Sequence, residues 1–147
     1  MNIQLSTLVS GNYRDIIQQF DLQLFEALAP PLVKMEIVEF TGSEKGDNVH
    51  VRFLKPVRTE WKSEITASEI TKQQAYFTDE GTILPWPLYY WKHIHIVEKV
   101  TDNTSRIIDD IHFKGNNAFL TLLLYPLLFL SFYPRKKIYR KYFGKPQ

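Results

Sequence analysis

Between residues 33 and 114, apolar and polar side chains alternate with a period of two. Turn chemistry interrupts the alternation at Gly42-Ser43-Glu44-Lys45-Gly46-Asp47, Lys55-Pro56, Asp79-Glu80-Gly81 and Thr101-Asp102-Asn103. The pattern predicts six consecutive antiparallel strands near 33–41, 47–54, 58–68, 72–79, 87–99 and 104–114. Upstream, Ile3 to Val9 also alternates and stops at Gly11, as a short first strand would. Asn12 is placed to cap a helix over 13–20 and Asp21 a second one through Leu28, which Pro30-Pro31 closes because proline cannot continue a helix. After Gly115 the period becomes helical. Asn116 or Asn117 caps a long segment through Ala118, Phe119, Leu123, Leu127, Leu130 and Phe132, and Pro126 is expected to kink it. A meander of this kind buries one face most cheaply by curving around the last helix. The expected fold is therefore α+β: a curved antiparallel sheet of about seven strands wrapped around a long C-terminal helix, with two short helices after the first strand.

With 147 residues, 44% hydrophobic and 14% aromatic, the chain is expected to be a single domain, 1–147, that buries about two thirds of its unfolded surface. It has no cysteine, so disulfides, thiolate catalysis and zinc-thiolate or iron-sulfur sites are excluded. The start lacks the basic and apolar regions of a secretory signal, and a cytoplasmic location is the default expectation. Residues 1–110 hold 11 basic and 16 acidic side chains, whereas 111–147 hold 7 basic and none acidic. The basic end, Arg135, Lys136, Lys137, Arg140, Lys141 and Lys145, fits cations at a helix C-terminus or an anionic partner. Nucleic acid is a poor fit, because the aromatics do not lie among the cations.

The chemistry-bearing strand is 87–99, where Tyr89, Trp91, His93, His95 and Val97 share one face. The other face carries Lys92 and Glu98 and is expected to be wet. Both histidines then point inward beside Trp91, where each imidazole needs a hydrogen-bond partner. On the next strand Asp109, between Ile107 and Ile111, is the natural partner for one of them. Three uses of His93, His95 and Asp109 stand open: a self-satisfied polar network, the polar end of a greasy ligand pocket, or acid–base catalysis with Asp109 setting a histidine tautomer. Metal binding would need a third ligand beside the two histidines and is not expected. Asp79-Glu80 reads as a solvated turn. Ile83-Leu84-Pro85-Trp86-Pro87 reads as a stiff apolar loop, either a lid with Trp86 as its contact residue or simply packed on the helix.

The order of elements resembles the helix-grip fold of the START-like, polyketide cyclase/dehydrase-like superfamily (SRPBCC), which includes birch-pollen-allergen-like proteins. The resemblance covers nearly the whole chain. It is carried by Leu28-Ala29-Pro30-Pro31, Gly42 and Gly46, Trp61 followed by Ile65-Thr66, Phe77-Thr78-Asp79-Glu80, Trp91-x-His93-x-His95 and Asp109-x-Ile111-x-Phe113. Gly81-Thr82-Ile83-Leu84 and the greasy last helix depart from the commoner pattern. The resemblance implies an elongated apolar cavity between sheet and C-terminal helix. Relatives use it to hold lipids, sterols, polyketides or hormones, and a minority catalyse cyclisation or dehydration.

The expected function is binding or transport of a hydrophobic or amphipathic small molecule, with no cofactor. The expected wall is Trp61, Phe77, Trp86, Trp91, His93, His95, Asp109, Phe113, Phe119 and Leu123. The alternatives are a cyclase or dehydratase using His93 or His95 with Asp109, and a dimerising module with a filled core. The 20 uncharged residues between Lys114 and Arg135 would permit a membrane span by length. The sheet, however, needs this helix as its core. The helix face turned away from the sheet is expected to meet a second subunit or a bilayer surface.

Overall fold

The computed structural model describes residues 1–147. Seven strands, β1 (Asn2–Ser10), β2 (Lys34–Phe40), β3 (Asn48–Lys55), β4 (Thr59–Ile70), β5 (Gln74–Ile83), β6 (Leu88–Thr101) and β7 (Thr104–Gly115), form one antiparallel sheet in the order β1-β7-β6-β5-β4-β3-β2. The sheet curls into a half-barrel. Two short helices, α1 (Tyr13–Gln18) and α2 (Leu22–Ala27), connect its two edges, and α3 (Ala118–Phe132) and α4 (Arg135–Phe143) close the chain. Asn12, Asp21 and Asn117 cap α1, α2 and α3 by accepting from the backbone N–H groups of Arg14, Leu24 and Leu120. Each cap satisfies a donor that the helix itself leaves unpaired, worth about 1 kcal/mol.

In two places the chain departs from the pattern's expectation. Asp79-Glu80-Gly81 is not a turn: β5 runs through it to Ile83, with Asp79 opposite Ile65 and Gly81 opposite Ser63. Register irregularities in β4, at Lys62/Ser63 and Ile65/Ala67, let the pairing continue. A side chain at Gly81 would run into Leu84, so glycine serves close approach here rather than reversal. At the other end, the single long helix expected is divided into α3 and α4 at Tyr133-Pro134, with Pro126 inside α3. Pro126 is exposed, so water can take the carbonyl that its missing N–H leaves free.

The concave face carries two apolar clusters. One joins α1 and α2 (Ile16, Phe20, Leu24, Leu28) to Phe77, Val97 and Ile107 of the sheet and Tyr139 of α4. The other joins α3 (Leu124, Leu128, Phe132) to Ile3, Leu5, Trp91, Ile111 and Phe113. The helix packs chiefly on β7 and β1, which leaves the concave side of β2 to β4 free to wall a cavity.

Candidate functional site

Strand alternation sets the site's floor. On β6, Trp91, His93, His95 and Val97 are all buried, whereas Tyr89 is exposed because the β6–β7 register shifts between Leu88 and Tyr90. His93 lies opposite Asp79 on β5, and His95 lies opposite Asp109 on β7. The hydrogen bonds nevertheless cross. His93 Nε2 is 2.9 Å from Asp109 Oδ1, and His95 Nε2 is 3.1 Å from Asp79 Oδ2. The directly facing pairs are longer, at 3.8 Å for His93 Nδ1 to Asp79 and 4.0 Å for His95 Nδ1 to Asp109. The two imidazoles lie against each other with ring centroids 3.6 Å apart and planes tilted by 31°, and Phe77 stacks on the far side of His95 at 4.2 Å.

Two further groups come from the last helix. Tyr139 donates its hydroxyl to Asp109 Oδ1 at 3.3 Å, and Arg135 reaches the same oxygen at 3.5 Å. Trp91 donates its indole N–H to Asp79 Oδ1 at 3.0 Å. Asp109 is thus ringed by donors and is 2% exposed. Burial alone would raise its pKa, but the hydrogen bond from His93 and the positive charge of Arg135 outweigh burial and hold it at about 2. Asp79 is likewise pulled down against burial, first by the His95 hydrogen bond. His95 goes the other way: burial, reinforced by the neighbouring imidazole, lowers it to about 4. Burial, then the Asp109 charge, raises Tyr139.

These directions fix the protons near neutral pH. An ionised carboxylate only accepts, so His95 Nε2 carries the hydrogen given to Asp79. Its Nδ1 is then a bare acceptor, buried and without a hydrogen-bond partner. Asp79, His93 and His95 bring one potential ligand atom each within 4.8 Å of one another. Each imidazole Nε2 is accounted for by a hydrogen bond to a carboxylate, and we read the trio as hydrogen-bonded pairs.

Above this floor lies a partly open, largely apolar cavity of about 210 Å³. Its walls include Phe20, Leu24 and Leu28 from the short helices, Val51, Phe53, Trp61 and Phe77 from the sheet, and Leu128 and Phe132 from α3. Its polar lining includes Ser63, Asp79, His93, His95 and Arg135. Arg135 is buried, its guanidinium 4.3 Å over the Phe132 ring and 3.5 Å from Asp109 Oδ1.

Of the residues expected in the wall, Trp61, Phe77, Trp91, His93 and His95 line this cavity. Asp109 sits one layer behind, holding His93. Phe113 is buried in the α3 cluster and does not reach the cavity. Phe119 and Leu123 are 67% and 53% exposed, on the outer face of α3. Trp86 is 76% exposed; its neighbour Leu84 does the packing, against the α3 cluster.

Sequence reasoning missed Asp79, Arg135 and Tyr139. The turn-like Asp-Glu-Gly hides Asp79. The other two lie in a basic run, yet Leu124, Leu128, Phe132, Arg135 and Tyr139 recur every three or four residues, and that spacing marks one helix face.

The strand order, the linking helices and the helix laid across the concave face define the helix-grip fold. Solved structures with this fold bear the likeness out. The Zhui aromatase/cyclase from Streptomyces superposes with a TM-score of 0.69 at 9% identity, over 97% of this chain and 92% of that one. Norcoclaurine synthase from Thalictrum flavum, in complex with dopamine and hydroxybenzaldehyde, gives 0.70 at 12% identity, over 97% and 85%. A protein from Arthrobacter aurescens gives 0.68 at 9% identity, over 95% and 86%. No family profile matches the chain. No curated protein matches it by sequence.

Proposed function

We propose that the protein binds a small, mainly apolar molecule carrying an acceptor oxygen, such as an aryl or alkyl carbonyl compound. One observation carries this reading: a buried guanidinium with unspent donors, Arg135, faces an apolar cavity beside His93 and His95. A guanidinium has five N–H donors and cannot shed its charge, so those turned to the cavity can donate to a ligand oxygen. Size narrows the class. An apolar cavity of roughly 150 Å³ holds one benzene, so this one encloses a body of about eight or nine heavy atoms. A lipid or a multi-ring polyketide would enter only in part and leave the rest at the open mouth. That neighbours of this fold include an aromatase/cyclase and a synthase in complex with hydroxybenzaldehyde supports an aromatic carbonyl ligand.

Acetophenone and ethylbenzene, similar in size but differing in the oxygen, test it. In amide-detected NMR titrations, acetophenone should shift the Trp61 and Trp91 indole signals and bind at least tenfold tighter than ethylbenzene. Arg135→Met should erase that preference. Equal binding of the two probes, or shifts confined to surface residues, would refute the reading.

A second reading, acid–base catalysis of cyclisation or dehydration, draws on the unpartnered Nδ1 of His95. With a pKa near 4 that nitrogen is a weak base at neutral pH, which favours recognition over proton transfer. A single-turnover rate abolished by His95→Gln, with ligand affinity kept, would reverse the order of the two readings.

A further inference from the structure

The outer face of the last helix pair carries a long open stripe. Tyr133 and Pro134 keep helical backbone angles, so α3 and α4 follow nearly one path. Along it, Leu124, Leu128, Phe132, Arg135 and Tyr139 are buried against the sheet. The opposite stripe steps by three or four residues through Phe119, Leu123, Leu127, Leu130 and Tyr133, all more than half exposed. The same stepping then reaches Lys137, Arg140 and Lys141, which are exposed too. One stripe is therefore apolar for four turns and cationic for the next two. Five large apolar side chains standing open in one row, with Leu122 beside them, make the kind of contiguous patch that marks an interaction surface.

We propose that this stripe docks the protein on an anionic bilayer surface, with α3 lying in the plane of the membrane. The apolar turns enter the headgroup–acyl boundary, and the cations of α4 meet lipid phosphates and headgroup charges. Charge decides against a second copy as the occupant. No acidic residue lies between 111 and 147, so a parallel pairing of two stripes sets cations on cations. An antiparallel pairing faces them with the start of α3, where Lys114 adds to the repulsion. Packing decides against a span. Ala118–Phe143 is long and apolar enough to cross a membrane, but crossing would strip Leu124, Leu128 and Phe132 from the sheet. The start of α3 also carries exposed aromatics: the Asn116 N–H donates to the Pro87 carbonyl at 3.0 Å, tying the Trp86 loop beside it. Tryptophan and tyrosine favour the membrane–water boundary.

The test is flotation of the full chain with vesicles of phosphatidylcholine alone and with 30% phosphatidylglycerol, at low and high salt. Binding should require phosphatidylglycerol and fall at least tenfold at high salt. Lys137→Glu/Arg140→Glu/Lys141→Glu should weaken it on the order of 100-fold, and Leu123→Ser/Leu127→Ser/Leu130→Ser should abolish it. All six positions are exposed, and circular dichroism of both variants checks that the fold survives. Salt-insensitive binding, binding to neutral vesicles alone, no binding, or a dimer in sedimentation that the serine variant breaks would each overturn the proposal. Acetophenone binding is read separately, so the two readings fail independently.

Discussion

Replacing Asp109 by asparagine keeps the shape of the side chain and removes its charge. The carboxylate takes donors from His93, Tyr139 and Arg135 in the interior. Held at about 2 instead of an ordinary 3.8, it contributes about 2 kcal/mol of stability at neutral pH. Because the folded value is the lower one, that contribution is complete above about pH 5 and disappears as the pH falls through about 2. The amide also leaves Arg135 buried without its nearest counter-ion, which raises the total cost to about 3 kcal/mol. Urea titrations followed by tryptophan fluorescence at pH 7, 5, 4 and 3 read both parts. The gap between wild type and Asp109→Asn should be flat from pH 7 to 5 and narrow by about 1 kcal/mol at pH 3. A gap that is absent at pH 7, or unchanged down to pH 3, would show that the ionised carboxylate is not what holds this region.

Four other substitutions follow from the same geometry. His95 is depressed from 6.5 to about 4, so stability present above pH 6.5 should be lost by about 3 kcal/mol as the pH falls to 4; thermal melts of His95→Gln should lack that slope. Gly115→Ala places a Cβ 2.8 Å from the Thr121 backbone nitrogen and should destabilise by about 1–3 kcal/mol in chemical denaturation. Leu128→Ala should cost about 2–4 kcal/mol. In the same denaturation experiment Leu123→Ala, on the open face, should stay within about 0.5 kcal/mol.

Much of this architecture can be read from the chain because strands announce their faces. Alternation turns His93 and His95 inward and sets Asp109 beside them, and three polar side chains stand where helix caps have to be. The losses have physical causes. Asp79 is misplaced by its local pattern because a turn-forming tripeptide continues a strand when its partner strand is irregular. Phe119 and Leu123 fall outside the cavity although their spacing suits it, because α3 is apolar on every side; with no polar stripe, the pattern carries no phase to say which leucines face the sheet. Arg135 and Tyr139 read as charge and bulk at a terminus, since a basic run masks the one cation that is turned inward.

The crossed aspartate–histidine pairs lie between two oily clusters, and this has a consequence for how the strands find one another. Sliding β6 by two residues would keep every greasy side chain on the concave face, so oil alone tolerates the slip. Either slip would replace one imidazole, His93 by Trp91 or His95 by Val97, and take its hydrogen bond from a carboxylate. The polar seam thus works as a notch that favours the native alignment of β5, β6 and β7.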